Sequence, residues 1–130
     1  MATVTPGPIP NVKRRVLVVE GDLDSVHSMV ALIRMMGHEV QFAINGFVAI
    51  DVARMHRPNI IILDIGLPDL QGDQLARRLR YEPGVENARI IAISGLPQAN
   101  LEERALKAGC AEFYRKPIDP AKLEELLAQP

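Results

Sequence analysis

The chain has 130 residues, of which 48% are hydrophobic and 24% are charged, and its formal net charge is −1. This length fits one domain with one core, and the apolar content excludes a disordered chain. The balanced charge excludes binding to nucleic acid or an anionic membrane by charge alone, and no apolar run approaches the roughly 20 residues of a membrane span. We therefore expect no direct nucleic-acid or membrane partner. A single cysteine, Cys110, excludes an internal disulfide and favours a cytoplasmic location.

The N-terminal segment differs in composition from the rest of the chain. Pro6, Pro8 and Pro10 interrupt it and exclude the apolar stretch of a secretory signal. We therefore expect residues 1–12 to be a disordered, proline-rich tail or linker. Residues 13–130 are expected to form the folded domain.

Strand-like and helix-like segments alternate five times along this domain. Short, mostly apolar runs predict strands at residues 16–19, 40–43, 59–63 and 90–93, and a brief fifth strand is predicted at 112–115. Apolar residues at helical spacing predict helices from a cap at Asp24 or Ser25 to Gly37, over 45–56, 72–81 and 101–108, and after a cap at Asp119. This alternation predicts an α/β fold, in which a parallel sheet is covered by helices on both faces.

The third predicted strand ends in a carboxylate. Four aliphatic residues, 60–63, are followed directly by Asp64, and Gly66 and Pro68 then favour a loop. Ligands of open α/β sheets bind at the carboxyl ends of the strands. Taken alone, however, Asp64 is more typical of an ordinary turn than of a site.

Three other predicted strand ends carry groups that complement Asp64. Glu20 and Asp22 follow the first strand, Ser94 follows the fourth and Lys116 follows the fifth. Carboxylate oxygens hold a hard divalent cation, while a hydroxyl and an ammonium neutralise phosphate oxygens. The four strand ends therefore predict a site for a divalent cation and a phosphoryl group.

These segments resemble the receiver domain of bacterial response regulators, the phosphoacceptor half of two-component signalling, over residues 14–128. The motifs that carry the resemblance are the acidic cluster 20–22, Leu63 to Asp69 with Gly72, Ile93 to Gly95, and Phe113 to Ile118. The resemblance implies a three-layer, flavodoxin-like fold with five helices and five parallel strands in the order 2-1-3-4-5. It also implies a signalling domain rather than an enzyme.

The resemblance implies a role for each matching residue. Asp64 would accept a phosphoryl group from a histidine kinase or a histidine phosphotransfer protein, and Lys116 would pair with Asp64 and then with the phosphoryl oxygens. Ser94 would move inward to bind the phosphoryl group. Phe113 matches the aromatic switch residue, although an ordinary half-buried aromatic explains it equally well. Lys116-Pro117 resembles the cis peptide of the family.

The metal site departs from the family pattern. The predicted ligands of Mg²⁺ are the side chains of Glu20, Asp22 and Asp64 and the backbone carbonyl of Gly66. Gly21 stands where receivers place an acid that binds the metal directly, so Mg²⁺ binding is expected to be weakened. Phosphotransfer is then either retained, or lost in a pseudo-receiver that signals by protein binding alone.

Two other classes of protein share parts of this pattern. A flavin or nucleotide binder needs a phosphate loop after the first strand, where Glu20-Gly21-Asp22 would repel phosphate. A haloacid-dehalogenase-type phosphatase needs a second acid two residues after its nucleophile, where Gly66 stands. We therefore favour a receiver that signals to an unknown downstream protein through the face of its fourth helix, fifth strand and fifth helix. A monomer or a weak homodimer is expected.

Overall fold

The structure is a computed structural model that describes residues 13–66, 72–96 and 100–129. The predicted tail, residues 1–12, lies outside the described residues, as do residues 67–69 of the Asp64 motif. The strands are β1 (Arg15–Val19), β2 (Glu39–Ala43), β3 (Ile60–Asp64), β4 (Arg89–Ser94) and β5 (Glu112–Arg115). The helices are α1 (Leu23–Met35), α2 (Gly46–His56), α3 (Gly72–Arg80), α4 (Leu101–Lys107) and α5 (Pro120–Ala128).

All five strands are parallel and lie in the order β2-β1-β3-β4-β5. This confirms the predicted doubly wound α/β fold. The chain steps outward from β1 to β2 and then returns to place β3 on the other side of β1. The resulting switch point lies between β1 and β3, where open α/β sheets bind their ligands.

The sheet separates two hydrophobic cores, and β3 contributes to both. Ile60 and Ile62 point into the core that lies under α1 and α5, whereas Ile61 and Leu63 point into the core under α2, α3 and α4. All four side chains are at least 97% buried. Burial of each contributes about 1.5–3 kcal/mol, so β3 is a rigid support for the residue at its end.

The structure corrects the predicted start of the first helix. Asp22, and neither Asp24 nor Ser25, is the N-cap of α1, and its Oδ2 accepts a hydrogen bond from the Ser25 backbone N–H at 3.0 Å. Asp22 has the extended backbone of an N-cap residue, while Asp24 and Ser25 already lie in the first helical turn. The predicted cap Asp119 is confirmed, and Asn45, the first residue of the second predicted helix, is the N-cap of α2.

At their carboxyl ends, β3 and β4 each extend one residue further than the sequence predicts. Asp64 is the last residue of β3 and lies opposite Ile93 of β4, and Ser94 is the last residue of β4 and lies opposite Arg115. The Lys116 backbone N–H also donates to the Ser94 carbonyl oxygen at 2.9 Å. Both polar residues are therefore fixed by the sheet rather than carried on loops. None of the helices in the described ranges is long and apolar enough to cross a membrane.

Candidate functional site

The carboxyl edge of the sheet brings Glu20, Asp64 and Lys116 into direct contact. Glu20 directly follows β1, Asp64 ends β3 and Lys116 directly follows β5. The Lys116 Nζ donates to Asp64 Oδ2 at 2.5 Å and also to Glu20 Oε2. One ammonium group is thus shared by the carboxylates of two buried residues.

Both carboxylate oxygens of Asp64 are held by hydrogen bonds. Oδ2 accepts from Lys116, and Oδ1 accepts from the Gly66 backbone N–H at 2.8 Å. A Cβ atom at Gly66 would lie 3.3 Å from Oδ1 and 3.2 Å from Leu96 Cδ1, which is tight packing. The side chain of Asp64 therefore has one orientation, and the absence of a side chain at Gly66 leaves room beside it.

The electrostatics of this cluster keep Lys116 charged. Burial lowers the pKa of Lys116, but the hydrogen bonds to Asp64 and Glu20 outweigh burial and raise it above its usual value. Burial raises the pKa of Glu20, as does the charge of Asp64, while Lys116 opposes the increase. Two acids against one ammonium give the site a preference for a further positive charge.

Ser94 lies beside this cluster but is turned away from it. Its side chain is fully buried, and its Oγ accepts a hydrogen bond from the Leu96 backbone N–H at 3.0 Å. No hydrogen bond joins Ser94 to Asp64 in the described part of the chain. Ser94 directly follows Ile93, the residue paired with Asp64 in the sheet.

Phe113 lies in β5 on the face covered by α4. It is half-buried, packs against the core on that side, and has the Arg115 guanidinium 5.5 Å from its ring centroid. The structure thus places Phe113 outside the charged cluster. The Lys116–Pro117 peptide bond is cis.

The backbone N–H of Asp22 donates to Glu20 Oε1 at 3.2 Å, whereas the Asp22 side chain caps α1. Its Oδ2 accepts hydrogen bonds from the Ser25 backbone N–H and from Ser25 Oγ, at 3.0 and 2.6 Å. The Ser25 hydroxyl lowers the pKa of Asp22, whose side chain is exposed. Its function as a metal ligand stays a prediction, and its contacts in this structure are those of a helix cap.

The remaining oxygen donors fit Mg²⁺. No group of three or more His, Cys, Asp or Glu side chains within 13–66, 72–96 and 100–129 is placed to hold a metal ion. Glu20 and Asp64 supply two carboxylates, both of which accept hydrogen bonds from Lys116. Gly66, whose carbonyl is the third predicted ligand, donates its backbone N–H to Asp64. Mg²⁺ is commonly bound by one or two carboxylates with several waters, so this donor set suits it.

The contact between Glu20 and Lys116 is the part of the site that the sequence does not reveal. Strands β1 and β5 are separated by β3 and β4, so they are not neighbours in the sheet. The predicted strand order therefore does not indicate an ion pair between the residues at their ends. Only the length of the lysine side chain allows it to reach both acids.

The site opens into a groove between α1 and the loop that follows Lys116. This groove has a volume of about 480 Å³. Its lining residues are Glu20, Asp24, Ser25, Ser28, Met29, Leu32, Lys116, Pro117, Ile118 and Leu123. Cys110, by contrast, lies in the core away from the groove, and burial raises the pKa of its thiol to about 11.

The fold and the strand-end cluster are those of a signalling domain built on a doubly wound parallel sheet. The family model of the response regulator receiver domain matches residues 16–128, and the chain belongs to this family. Receiver domains belong to two-component systems, in which they interact with histidine kinases and downstream proteins.

Individual relatives agree with this assignment. The chain is 30% identical to the polar-differentiation response regulator DivK of Brucella anthropi, over 88% of this chain and 93% of the relative. It is similar in fold to chemotaxis protein CheY4 of Vibrio cholerae, with a TM-score of 0.82 and 21% identity over 89% of this chain and 97% of that one.

A second solved structure is similar in fold and holds a metal ion. It is the receiver domain of sensor histidine kinase PA1611 from Pseudomonas aeruginosa, with magnesium coordinated in its active-site cleft. The TM-score is 0.79 and the identity 27%, over 89% of this chain and 95% of that one.

Proposed function

We propose that this chain is a phosphorylation-competent receiver whose acceptor is Asp64. The contact of Asp64 with Lys116, at the end of a strand buried on both faces, is the observation that carries this proposal. A carboxylate held at one oxygen by a backbone N–H and at the other by an ammonium is oriented before a donor arrives. Such orientation lowers the entropic cost of reaching the transition state.

The transferred group would come from a histidine kinase or a histidine phosphotransfer protein. An Asp64 oxygen attacks phosphorus, a P–O bond forms, and the P–N bond to the donor imidazole breaks. The electron pair of that bond stays on the imidazole nitrogen, and the chain gains an acyl phosphate. Lys116 then exchanges part of its contact with Asp64 for the incoming phosphoryl oxygens, because its ammonium is already at the acceptor.

Glu20, Asp64 and the Gly66 carbonyl are the groups that would hold Mg²⁺. When bound, the ion supplies positive charge to the phosphoryl oxygens. Lys116 contributes to the same charge balance from the protein itself. The missing carboxylate at Gly21 is therefore expected to weaken metal binding rather than to abolish phosphotransfer.

Ser94 would report the phosphorylation state. In the structure its hydroxyl is bound to the Leu96 N–H, and a phosphoryl group on Asp64 offers a charged and therefore stronger acceptor. Movement of Ser94 toward that acceptor would release Leu96 and bias the face formed by α4, β5 and α5, with Phe113 beneath it.

A pseudo-receiver is the second candidate function, and the contacts of the acids support it. The Asp22 carboxylate binds Ser25, Glu20 binds Lys116, and Gly21 offers no side chain. In this alternative the cluster is a structural ion pair, and the domain acts as a protein-binding module that requires no phosphorylation.

Labelling with a small phosphodonor distinguishes the two functions. The protein is incubated with phosphoramidate and saturating Mg²⁺, and its intact mass is measured. We expect the wild type and Glu124→Gln, which changes an exposed acid on α5, to gain one phosphoryl group, and Asp64→Asn to gain none. An unlabelled wild type under these conditions would establish the pseudo-receiver instead.

A further inference from the structure

The groove between α1 and the loop after Lys116 is lined mostly by uncharged side chains. Of its ten lining residues, five are apolar, two are serines and three are charged. Met29, Leu32 and Ile118 are only partly buried, so the groove presents apolar surface in the described part of the chain. Its volume of about 480 Å³ is within the usual range of binding clefts, and its apolar lining favours an occupant with little charge.

An apolar row on α1 leads from this groove to the opposite edge of the sheet. Met29 and Leu32 line the groove, and Met36, which directly follows α1, packs with Met29 against the core under α1 and α5. These three residues are spaced three and four apart, so their side chains lie on one face of the helix. The row therefore connects the groove with the amino edge of the sheet, where α1 ends.

The segment that precedes Lys13 joins the domain at the end of this row. The Arg14 backbone N–H donates to His38 Nδ1 at 2.9 Å, shortly after the end of α1. The Arg14 Nε donates to the Leu127 carbonyl oxygen at 3.1 Å, in the last turn of α5. The chain thus enters the fold between the ends of the two helices that lie over the same core.

The composition of residues 1–12 suits the groove. They contain no Asp, Glu, Lys, Arg or His, whereas 24% of the whole chain is charged. The segment can therefore be buried without removing a charged side chain from water. Ile9, between Pro8 and Pro10, supplies apolar surface in a part of the chain with few accessible backbone conformations, which lowers the entropic cost of binding.

The length of the segment brings Ile9 to the groove. Ile9 lies four residues before Lys13, which is about 12 Å for a proline-rich segment in the polyproline II conformation. Met29 lies six residues before the end of α1 at Met35, a rise of about 9 Å. Ile9 therefore reaches the level of Met29, and Pro6, about 22 Å from Lys13, reaches the carboxyl edge of the sheet.

Attachment to the same chain makes a weak contact sufficient. A binding segment joined by a short linker is present at its site at an effective concentration of about 1 mM. A contact with a Kd of about 1 mM is then occupied in about half of the molecules. The few apolar side chains of the segment are enough for such a contact.

We propose that residues 1–12 bind in the groove between α1 and the loop after Lys116, with Ile9 against Met29 and Leu32. The Asp64 site opens into this groove, so the bound segment covers its entrance. The segment is thus an autoinhibitory contact, which a molecule approaching through the groove has to displace. This inference goes beyond the proposed function and requires no phosphoryl group.

Methyl NMR of the full chain tests the contact directly. We expect nuclear Overhauser effects between the methyl groups of Ile9 and those of Met29 and Leu32. Ile9→Ser should shift the Met29 and Leu32 methyl resonances, because it removes this contact. The matched control is Val4→Ser, which removes an aliphatic side chain about 28 Å from Lys13, beyond the roughly 20 Å length of α1. The control should leave these resonances in place.

A soluble nitroxide measures how far the segment covers the entrance. It accelerates the relaxation of protons that it can reach, including those of Ile118 and Lys116. We expect this acceleration to be about twofold greater in Ile9→Ser than in the wild type, because a half-occupied contact protects the groove for half of the time. Val4→Ser should match the wild type.

Several results would overturn the inference. They are the absence of Overhauser effects between Ile9 and the groove, equal methyl shifts for Ile9→Ser and Val4→Ser, and equal nitroxide effects in all three proteins. A mixture of isotope-labelled and unlabelled chains identifies the groove that is used, and effects seen only between chains would assign the segment to a second copy instead. Since no readout depends on phosphorylation, this inference and the proposed function fail separately.

Discussion

Lys116 determines the chemistry of the site because its one positive charge is divided between Glu20 and Asp64. An incoming cation competes with this ammonium for the same carboxylate oxygens. A carboxylate at position 21 would strengthen the binding of this cation, but Gly21 has no side chain. At the scale of single residues, we therefore propose that Gly21 sets the balance between lysine and metal.

Restoring a carboxylate at position 21 should shift that balance. Gly21 is not among the described glycines with a positive φ, so an aspartate fits its backbone. We expect Gly21→Asp to increase the affinity for Mg²⁺ by about tenfold or more, because it adds a charged oxygen ligand. Isothermal titration calorimetry measures the affinity. Asn87→Asp, which adds the same charge in the loop before β4, should leave it unchanged, and equal affinities for both variants would refute the assignment.

The positions of some of these residues were predictable from the sequence, and the roles of others were not. Asp64, Ser94 and Lys116 follow apolar strand runs, so their place at one edge of the sheet was predictable from periodicity and the resemblance. The capping role of Asp22 was less visible, because three acidic or hydroxyl residues, Asp22, Asp24 and Ser25, compete as caps within four positions. Backbone geometry, which the sequence does not encode locally, selects among them.

Helices α2 and α3 are joined by a buried carboxylate in the loop that follows α3. Glu82 accepts hydrogen bonds from Arg54 Nη2 and Nε at 2.9 and 3.0 Å, and Arg78 lies 3.7 Å away. The hydrogen bond from Arg54 lowers the pKa of Glu82, and the charges of both arginines act in the same direction. This link holds α2 and α3 together on the face of the sheet that they cover. The apolar spacing that predicts the two helices does not indicate it.

The pH dependence of stability should reveal this link between the helices. A glutamate with a lowered pKa in the folded state stabilises the fold above its unfolded pKa, near 4.5, and loses that contribution as the pH falls through the folded value. We expect Glu82→Gln to lower the urea midpoint at pH 7, and its difference from the wild type to shrink below pH 4.5. Glu86→Gln, an exposed acid in the same loop, serves as the control. A difference that stays constant with pH would contradict this account.

At the scale of the whole molecule, backbone contacts connect the acceptor to the α4–β5–α5 face. The Ser94 carbonyl oxygen accepts a hydrogen bond from the Lys116 backbone N–H, and Lys116 directly follows β5, which contains Tyr114. The Lys122 ammonium lies 5.4 Å from the Tyr114 ring centroid, so α5 packs on the same strand. A change at the acceptor therefore has a short, rigid path to this face.

A phosphoryl mimic should move that face. We expect beryllofluoride with Mg²⁺ to shift amide resonances in β5, α4 and the start of α5, as well as those around Asp64. Heteronuclear NMR of the wild type measures this, and Asp64→Asn should show no shifts at any of these positions. Shifts restricted to the residues that contact Asp64 would exclude a long-range switch.

The central claim is that the carboxylate of Asp64 accepts a phosphoryl group, and chemical trapping of the adduct tests it most directly. After incubation with phosphoramidate and Mg²⁺, borohydride reduces an acyl phosphate of aspartate to homoserine, which tandem mass spectrometry locates in the chain. We predict homoserine at position 64 and at no other acid, and none without the donor. Homoserine at another position, or at none when donor and metal are saturating, would contradict the account.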